Sequence, residues 1–349
     1  YNTGWALRFP QQAQFHPLKY LRGLAHAITR NGGRIFTQTH VDEVQSGKPA
    51  RVKTANGCHV TAAAVVVATN SPVNDRVVVH TKQAPYRTYV IGATVPRGSV
   101  PLALYWDTAD PYHYVRLQPG GDGADDVLIV GGEDHKTGQA EDYAERYARL
   151  EQWTRERFAI NQVTFRWSGQ VMEPIDGLGY IGRNPADTEN IYIATGDSGH
   201  GMTHGTIAGI LITDLIVGRD NAWASVYDPG RITSGAAPEF ASEGLNLAAQ
   251  YTDWLTPGTV RDEKEVPNDS GAILRRGLTK VALYRDAAGQ LHECSAVCPH
   301  LGGIVHWNGN EKMWECPVHG SRFDRFGKVV NGPAITDLAS ARAQPVTSR

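Results

Sequence analysis

The chain has 349 residues, 41% of them hydrophobic and 20% charged, a make-up ordinary for a globular protein and long enough for two domains with separate cores. Its formal net charge of -2 offers no basic footprint for nucleic acid or for an anionic membrane surface. The longest apolar run, Ile207 to Val217, is broken by Gly209, Thr213 and Asp214 and falls short of the ~20 residues that span a bilayer, so no membrane span is expected.

The first residue is Tyr1 and no charged-then-apolar leader follows it. Four cysteines without framework spacing point to a reducing, cytoplasmic setting. Pro17 opens an amphipathic helix with apolar residues at Leu18, Leu21, Leu24, Ala25 and Ile28, stopped by Gly32-Gly33. Strands are predicted at 34–37, 40–44, 51–54 and 60–68, the last holding an apolar run suited to burial on both faces. Short β-rich runs with Gly and Pro punctuation from 86 to 132 predict an antiparallel sheet. A charged helix at 141–158 follows, then strands near 162–167 and 191–195, and an apolar helix from about 201 to 217. Composition shifts to Ala, Ser, Gly and Asp between 218 and 257, read as a connection with one helix near 243–255. From Thr259 onward, short strands at 280–285, 290–294 and 327–330 describe a small all-β domain.

Two loops of this last region carry the strongest chemical signal: Cys298-Pro299-His300-Leu301-Gly302-Gly303 and Cys316-Pro317-Val318-His319-Gly320-Ser321. Two thiolates and two imidazoles suit a [2Fe-2S] centre with chemically distinct irons. A structural zinc site uses the same residue types but favours C-x-x-C pairs, whereas each loop here supplies one Cys and one His. With Trp307-Asn308 and Arg322-Phe323, the segment resembles Rieske domains over roughly the last quarter of the chain. The resemblance makes Cys298, His300, Cys316 and His319 the metal ligands, with the two histidines on the solvent side. The disulfide of respiratory Rieske proteins is replaced by Gly303 and Val318, and their thiolate-bonding Tyr by Phe323, while Ser321 is retained. Lost donors destabilise the reduced cluster, so the potential is expected in the lower part of the ~−150 to +300 mV range.

One literal G-x-G-x-x-G, at Gly177 to Gly182, lacks a following helix and is rejected as a phosphate loop. A more telling stretch runs from Tyr192 to Met202, a strand entering a glycine turn that opens an apolar helix. Phe15-His16-Pro17, Thr39-His40-Val41, Ala68-Thr69-Asn70, Trp167-Ser168-Gly169, Asp176 to Gly182 and Gly196 to Gly201 occur in the order of the FAD-dependent D-amino-acid oxidase/glycine oxidase superfamily, which residues 1–220 resemble. That resemblance implies Val41 near the adenine and Ala68, Thr69 and Asn70 near the pyrophosphate. It sets Gly199, His200, Gly201 and Met202 at the flavin ring. The family's first strand–glycine-loop–helix unit is expected upstream of Tyr1.

The expected fold is an α/β or α+β FAD-binding oxidoreductase domain (1–220) lacking its first Rossmann unit, a linker (221–258) and an all-β Rieske domain (259–349). The expected function is oxidation of a small amine or amino-acid substrate, with electrons passed singly to the cluster and exchanged with an external redox protein. The catalytic residues are not identified. Two rival readings stand beside it. One is a Rieske electron-transfer protein on a non-catalytic flavoprotein-like scaffold. The other is a Rieske non-haem iron oxygenase, with Asp197, His200 and His204 as a facial triad. Single residues read as ordinary are Trp167 and Trp307 (core), His135 (solvated turn), Arg87 and Arg116 (surface pairs, or else a substrate-carboxylate fork) and Cys294 (buried thiol).

Overall fold

A computed structural model describes residues 4–74, 79–121, 125–185, 189–231 and 237–341. In chain order the elements are α1 (Pro17–Arg30), β1 (Val41–Gln45), β2 (Ala50–Thr54), β3 (His59–Ala62) and β4 (Val65–Val67). A 3-10 turn (His80–Lys82) precedes β5 (Gln83–Val95), β6 (Leu104–Trp106), β7 (Tyr114–Gln118) and β8 (Asp126–Lys136). Next come α2 (Tyr143–Arg157), β9 (Val163–Pro174), β10 (Tyr180–Arg183), β11 (Ile191–Thr195), α3 (Gly201–Val217), α4 (Ala224–Tyr227) and α5 (Ala237–Gln250). Seven strands complete the chain: β12 (Ser270–Arg276), β13 (Thr279–Arg285), β14 (Leu291–Ser295), β15 (His306–Asn308), β16 (Met313–Glu315), β17 (Arg322–Asp324) and β18 (Val329–Asn331).

These elements form two compact units, one from residues 1–39, 87–134 and 144–169, the other from 40–86, 135–143 and 170–349. The first is built on a sheet of order β6-β7-β8-β5-β9. Its strands alternate, so Val115 and Leu117 of β7 and Leu128 and Val130 of β8 are buried with Tyr147 and Leu150 of α2. Tyr89 meets Tyr147 edge-to-face at 4.9 Å, a pairing worth about 1 kcal/mol beyond its buried area. In α1, Pro17 takes the first turn, as the sequence predicts, and His16 caps the Lys19 amide. The helix buries no residue, however, and Leu18, Leu21, Leu24 and Ile28 lie exposed.

In the second unit, β1-β2-β3 is an antiparallel meander, and β10-β11-β4 is an open sheet whose β11 and β4 run parallel. Period-two alternation splits β11: Ile191 and Ile193 pack with Val67, Val79 and Tyr180, while Tyr192 packs with Ile181 and with Ala208, Leu211 and Ile212 of α3. Beyond α5, the sheets β12-β13-β14 and β15-β16-β17-β18 enclose a core centred on Trp314 and Phe323, both fully buried. All these sheets are open.

Three sequence expectations need correction. Residues 34–37 form no strand. The 60–68 stretch is two strands parted by a bend at Ala63, because β3 turns to the meander and β4 to β11. The connecting helix begins at Ala237 and gives way after Gln250 to a 3-10 turn, Tyr251–Leu255. No helix among the described residues is long and apolar enough to cross a membrane.

Candidate functional site

The two Cys/His loops lie between β14 and β15 and between β16 and β17, and they repeat one backbone pattern. In the first, the Cys298 N–H donates to the Gly303 carbonyl at 2.8 Å and the Gly302 N–H to the Cys298 carbonyl at 3.0 Å. In the second, the Cys316 N–H donates to Ser321 at 2.8 Å and the Gly320 N–H to Cys316 at 3.0 Å. Gly302 and Gly320 hold φ of +75° and +76°, which a side chain would strain. The turn so formed aims two amides at each sulfur: His300 and Leu301 at Cys298, Val318 and His319 at Cys316.

The sulfurs are hydrogen-bonded to each other, and both cysteines are buried. That bond, helped by the amides and the Ser321 hydroxyl, lowers the Cys298 pKa, while it and burial raise Cys316 well above the thiol range. With both protons released the pair becomes two adjacent thiolates that need a cationic partner. His300 and His319 face each other with ring centroids 5.0 Å apart. Burial first, then the His80 and His300 rings, push His319 down to about 2, so it is neutral and ready to ligate. His319 Nδ1 is buried with no hydrogen-bond partner in the protein.

Among the described residues, no three His, Cys, Asp or Glu side chains close on one point as a single ion requires. Paired sulfurs and paired imidazoles suit a two-iron centre better than a tetrahedral zinc site. A Cβ on Gly303 would stand 2.4 Å from Val318 Cγ2 and 3.3 Å from its Cβ, so the positions that replace the respiratory disulfide adjoin and the valine fills the gap. Phe323 is fully buried and brings no hydroxyl. From the connecting segment, the Tyr251 hydroxyl donates to the Leu301 carbonyl at 2.8 Å and the Trp254 indole to Gly302 at 2.9 Å.

The FAD-contact candidates fall at the carboxyl ends of parallel β4 and β11, where open α/β sheets bind ligands. Ala68 and Thr69 are exposed and Asn70 has φ of +61°. The Thr195 hydroxyl donates to the Asn70 carbonyl, which joins this loop to the one that runs through Gly199 and His200 into α3. Gly199, His200 and Gly201 are exposed and Met202 half-buried. His200 stands at the N-cap of α3 but gives no side-chain cap, leaving first-turn amides to meet an electron-rich group. Asp197 Oδ1 and His204 Nδ1 are buried here without a hydrogen-bond partner. These features fit the edge of a flavin. Val41 is outside this join; it starts β1, paired with Thr54 and half-buried. The His200 and His204 rings are 6.5 Å apart, and the absence of any three-ligand group among the described residues covers Asp197 as well.

Several single-residue expectations change. His135 is buried within β8, its Nδ1 2.7 Å from the Lys136 carbonyl, because the strand runs on through the predicted turn. Arg87 is 1% exposed and donates to Ser168 at 2.5 Å, so it is a core cation of β5 and no surface pair. Arg116 donates to the Phe15 carbonyl at 3.0 Å. Trp167 is 43% exposed, whereas Trp307 packs half-buried on the Trp314 core. Burial lifts the Cys294 thiol to about 12. His319 does not face solvent, being 4% exposed.

Sequence reading missed the residues that surround the loops. His80 lies 4.9 Å from the His300 ring and 5.5 Å from that of His319. Gln170 Nε2 donates to the Gly320 carbonyl at 3.1 Å, and the Gln170 carbonyl accepts from Asn70 at 3.4 Å. His306 bonds the Gly138 carbonyl at 2.7 Å and the Asp253 carboxylate at 2.8 Å. No motif marks these residues, since the groups they meet here lie far away in the sequence.

Comparison with known proteins identifies two domain types in the chain. Residues 2–215 match the family model of FAD dependent oxidoreductases, and residues 256–342 that of the Rieske [2Fe-2S] domain. Over 343 residues, 95% of the chain, it is 30% identical to YhfW of Bacillus subtilis (strain 168), which is named for a Rieske 2Fe-2S centre. It is 35% identical over 135 residues, 37% of the chain and 53% of the relative, to cytochrome b6-f complex iron-sulfur subunit 1 of the Cyanophora paradoxa cyanelle. In fold, 61% of the chain superposes on 57% of glycine oxidase from Geobacillus kaustophilus, with a TM-score of 0.50 and 19% identity. The chain spans 65% of the length of YhfW. The first domain type implies FAD and the second a [2Fe-2S] cluster. The chain belongs to the FAD-dependent oxidoreductase family and carries, after that domain, a Rieske [2Fe-2S] domain.

Proposed function

We propose that the chain forms part of a cytoplasmic dehydrogenase that oxidises a small amine or amino acid and passes the electrons one at a time to its Rieske centre, for exchange with an external redox protein. The FAD-dependent part would occupy residues 1–220, the connection 221–258 and the Rieske part 259–349. FAD takes a substrate's electrons as a pair, and a [2Fe-2S] centre carries them singly. Cys298 and Cys316 would hold one iron and His300 and His319 the other. The Ala68, Thr69 and Asn70 loop and the Gly199 to Met202 turn would receive FAD, with the uncapped amides of α3 stabilising negative charge on its ring. Val41 is assigned to the adenine end.

The observation that carries this reading is the chain of hydrogen bonds from Asn70 through Gln170 to the Gly320 carbonyl, beside His319. It links the candidate flavin loop to the second cluster loop within one compact unit. That link favours cooperation over a Rieske module on an idle scaffold.

Anaerobic purification tests it. Iron and acid-labile sulfide in equal amounts, FAD, and flavin bleaching by amines or amino acids followed by cluster reduction are expected. Zinc alone would overturn the whole reading. A cluster in protein that cannot be loaded with FAD would leave only electron transfer.

A further inference from the structure

His80 is 1% exposed and belongs to the FAD-dependent oxidoreductase part of the chain, yet its ring stands beside the two candidate iron ligands of the Rieske part. Its ring stands edge-on to His300, at 75°, and tilted to His319, at 54°. His80 Nε2 lies 3.0 Å from the Pro72 carbonyl; a carbonyl only accepts, so the ring proton sits there and the ring is fixed in place. The turn is fixed too. Lys82 Nζ donates to the Pro229 and Arg231 carbonyls at 3.1 and 3.0 Å. Pro85 is seated so closely that a Cβ on Gly320 would fall 2.5 Å from its Cβ. Val73 lies 3.2 Å from where a Cβ on Gly332 would be. Pro72, Val73 and the turn from His80 to Pro85 thus lie across the imidazole side of the cluster loops, with His319 4% exposed and His300 Nε2 shut away from solvent.

We propose that His80 is a positioning residue that closes the imidazole face of the cluster, making that face a joint inside the chain and no docking surface for an outside redox protein. The inference rests on the cluster half of the function proposed above and needs nothing of the flavin half. Removing the His80 ring opens a channel to the two ligand rings; Phe restores a ring of similar breadth without the bond to Pro72.

The test follows the exchangeable ring protons of the two ligands in dithionite-reduced full-length protein, by deuterium coupling in pulsed EPR after brief transfer to D2O. Wild type and H80F are expected to take up deuterium slowly at both ligand rings, and H80A severalfold faster. H80F also guards against misfolding of H80A, since slow exchange in wild type and H80F alone already supports closure by a ring. Fast exchange at both rings in wild type, or equal rates in wild type and H80A, overturns the proposal. FAD-free protein must give the same rates, so failure to load FAD touches the flavin reading alone. A wild type without the reduced [2Fe-2S] signal overturns the cluster assignment and this proposal together.

Discussion

Gly138 offers a measurable link between the two domain types. It lies in the turn after β8 with φ of +73°, and a Cβ there would come 2.9 Å from Pro317 N, 3.0 Å from Pro317 Cα and 3.2 Å from the Cys316 carbonyl carbon. All three are backbone atoms of the second cluster loop, so they yield only if the loop shifts. Gly138→Ala therefore carries two costs: about 1–2 kcal/mol for a left-handed alanine and about 1–3 kcal/mol for overpacking against a rigid neighbour. Gly277 isolates the first, because its φ is +64° and no atom lies within 4 Å of its Cβ position. Gains from a stiffer unfolded chain are alike in the two variants and cancel. Urea unfolding of the holoprotein, followed by the visible circular dichroism of the cluster, should show G138A less stable than G277A by about 1–3 kcal/mol, with cluster bleaching at lower urea. Equal destabilisation of the two variants would refute the claim that Gly138 is pressed against the loop.

Three further outcomes are expected. Burial opposes the charge on His306, but the Asp253 carboxylate and the Gly138 carbonyl outweigh it and raise its pKa. Its contribution to stability should be full below the unfolded value of about 6.5 and fade as pH rises through the raised folded value; a wild-type minus H306Q stability gap that widens with pH would contradict this. Ser321 stabilises negative charge on Cys298, so S321A should lower the cluster potential by tens of millivolts in protein-film voltammetry, and an unchanged or higher potential would exclude that role. Gly303 and Val318 adjoin closely enough that G303C/V318C should form a disulfide under oxidising conditions; two free thiols at these positions after oxidation would show the loops to be further apart.

The sequence was most legible where the chemistry is local. Each cluster loop holds its Cys, His and Gly within six residues, so type and spacing alone indicate its turn and ligands. The strand-turn-helix from Tyr192 to Val217 was legible for the same reason: an apolar strand β11 buried on both faces, positive φ at Gly196 and Gly199, and a continuous apolar helix after them. What surrounds the loops was not legible. His80 sits in the stretch Val79-His80-Thr81-Lys82, with no periodicity to mark it, and it reaches His300 across 220 positions of sequence. The expectation of a solvent-facing His319 failed for this reason, since its ring is 4% exposed with the distant His80 ring 5.5 Å away, while His300 is half-buried. His135 and Arg87 were misjudged alike: side chains of types usually exposed lie inside strands β8 and β5. The apolar stripe of α1 marks the opposite limit, a legible helix that buries no residue.

The differing fates of the four sulfurs give the molecule its own occupancy gauge. Cys58 is exposed, whereas Cys294 is buried with its thiol raised to about 12, so it is expected to resist alkylating dyes at neutral pH. If Cys298 and Cys316 hold iron as proposed, they are withheld as well, leaving one dye per chain. Stripping the iron while loosening the loops adds two labels to that one, so the ratio of dye to protein counts filled centres without a spectrum.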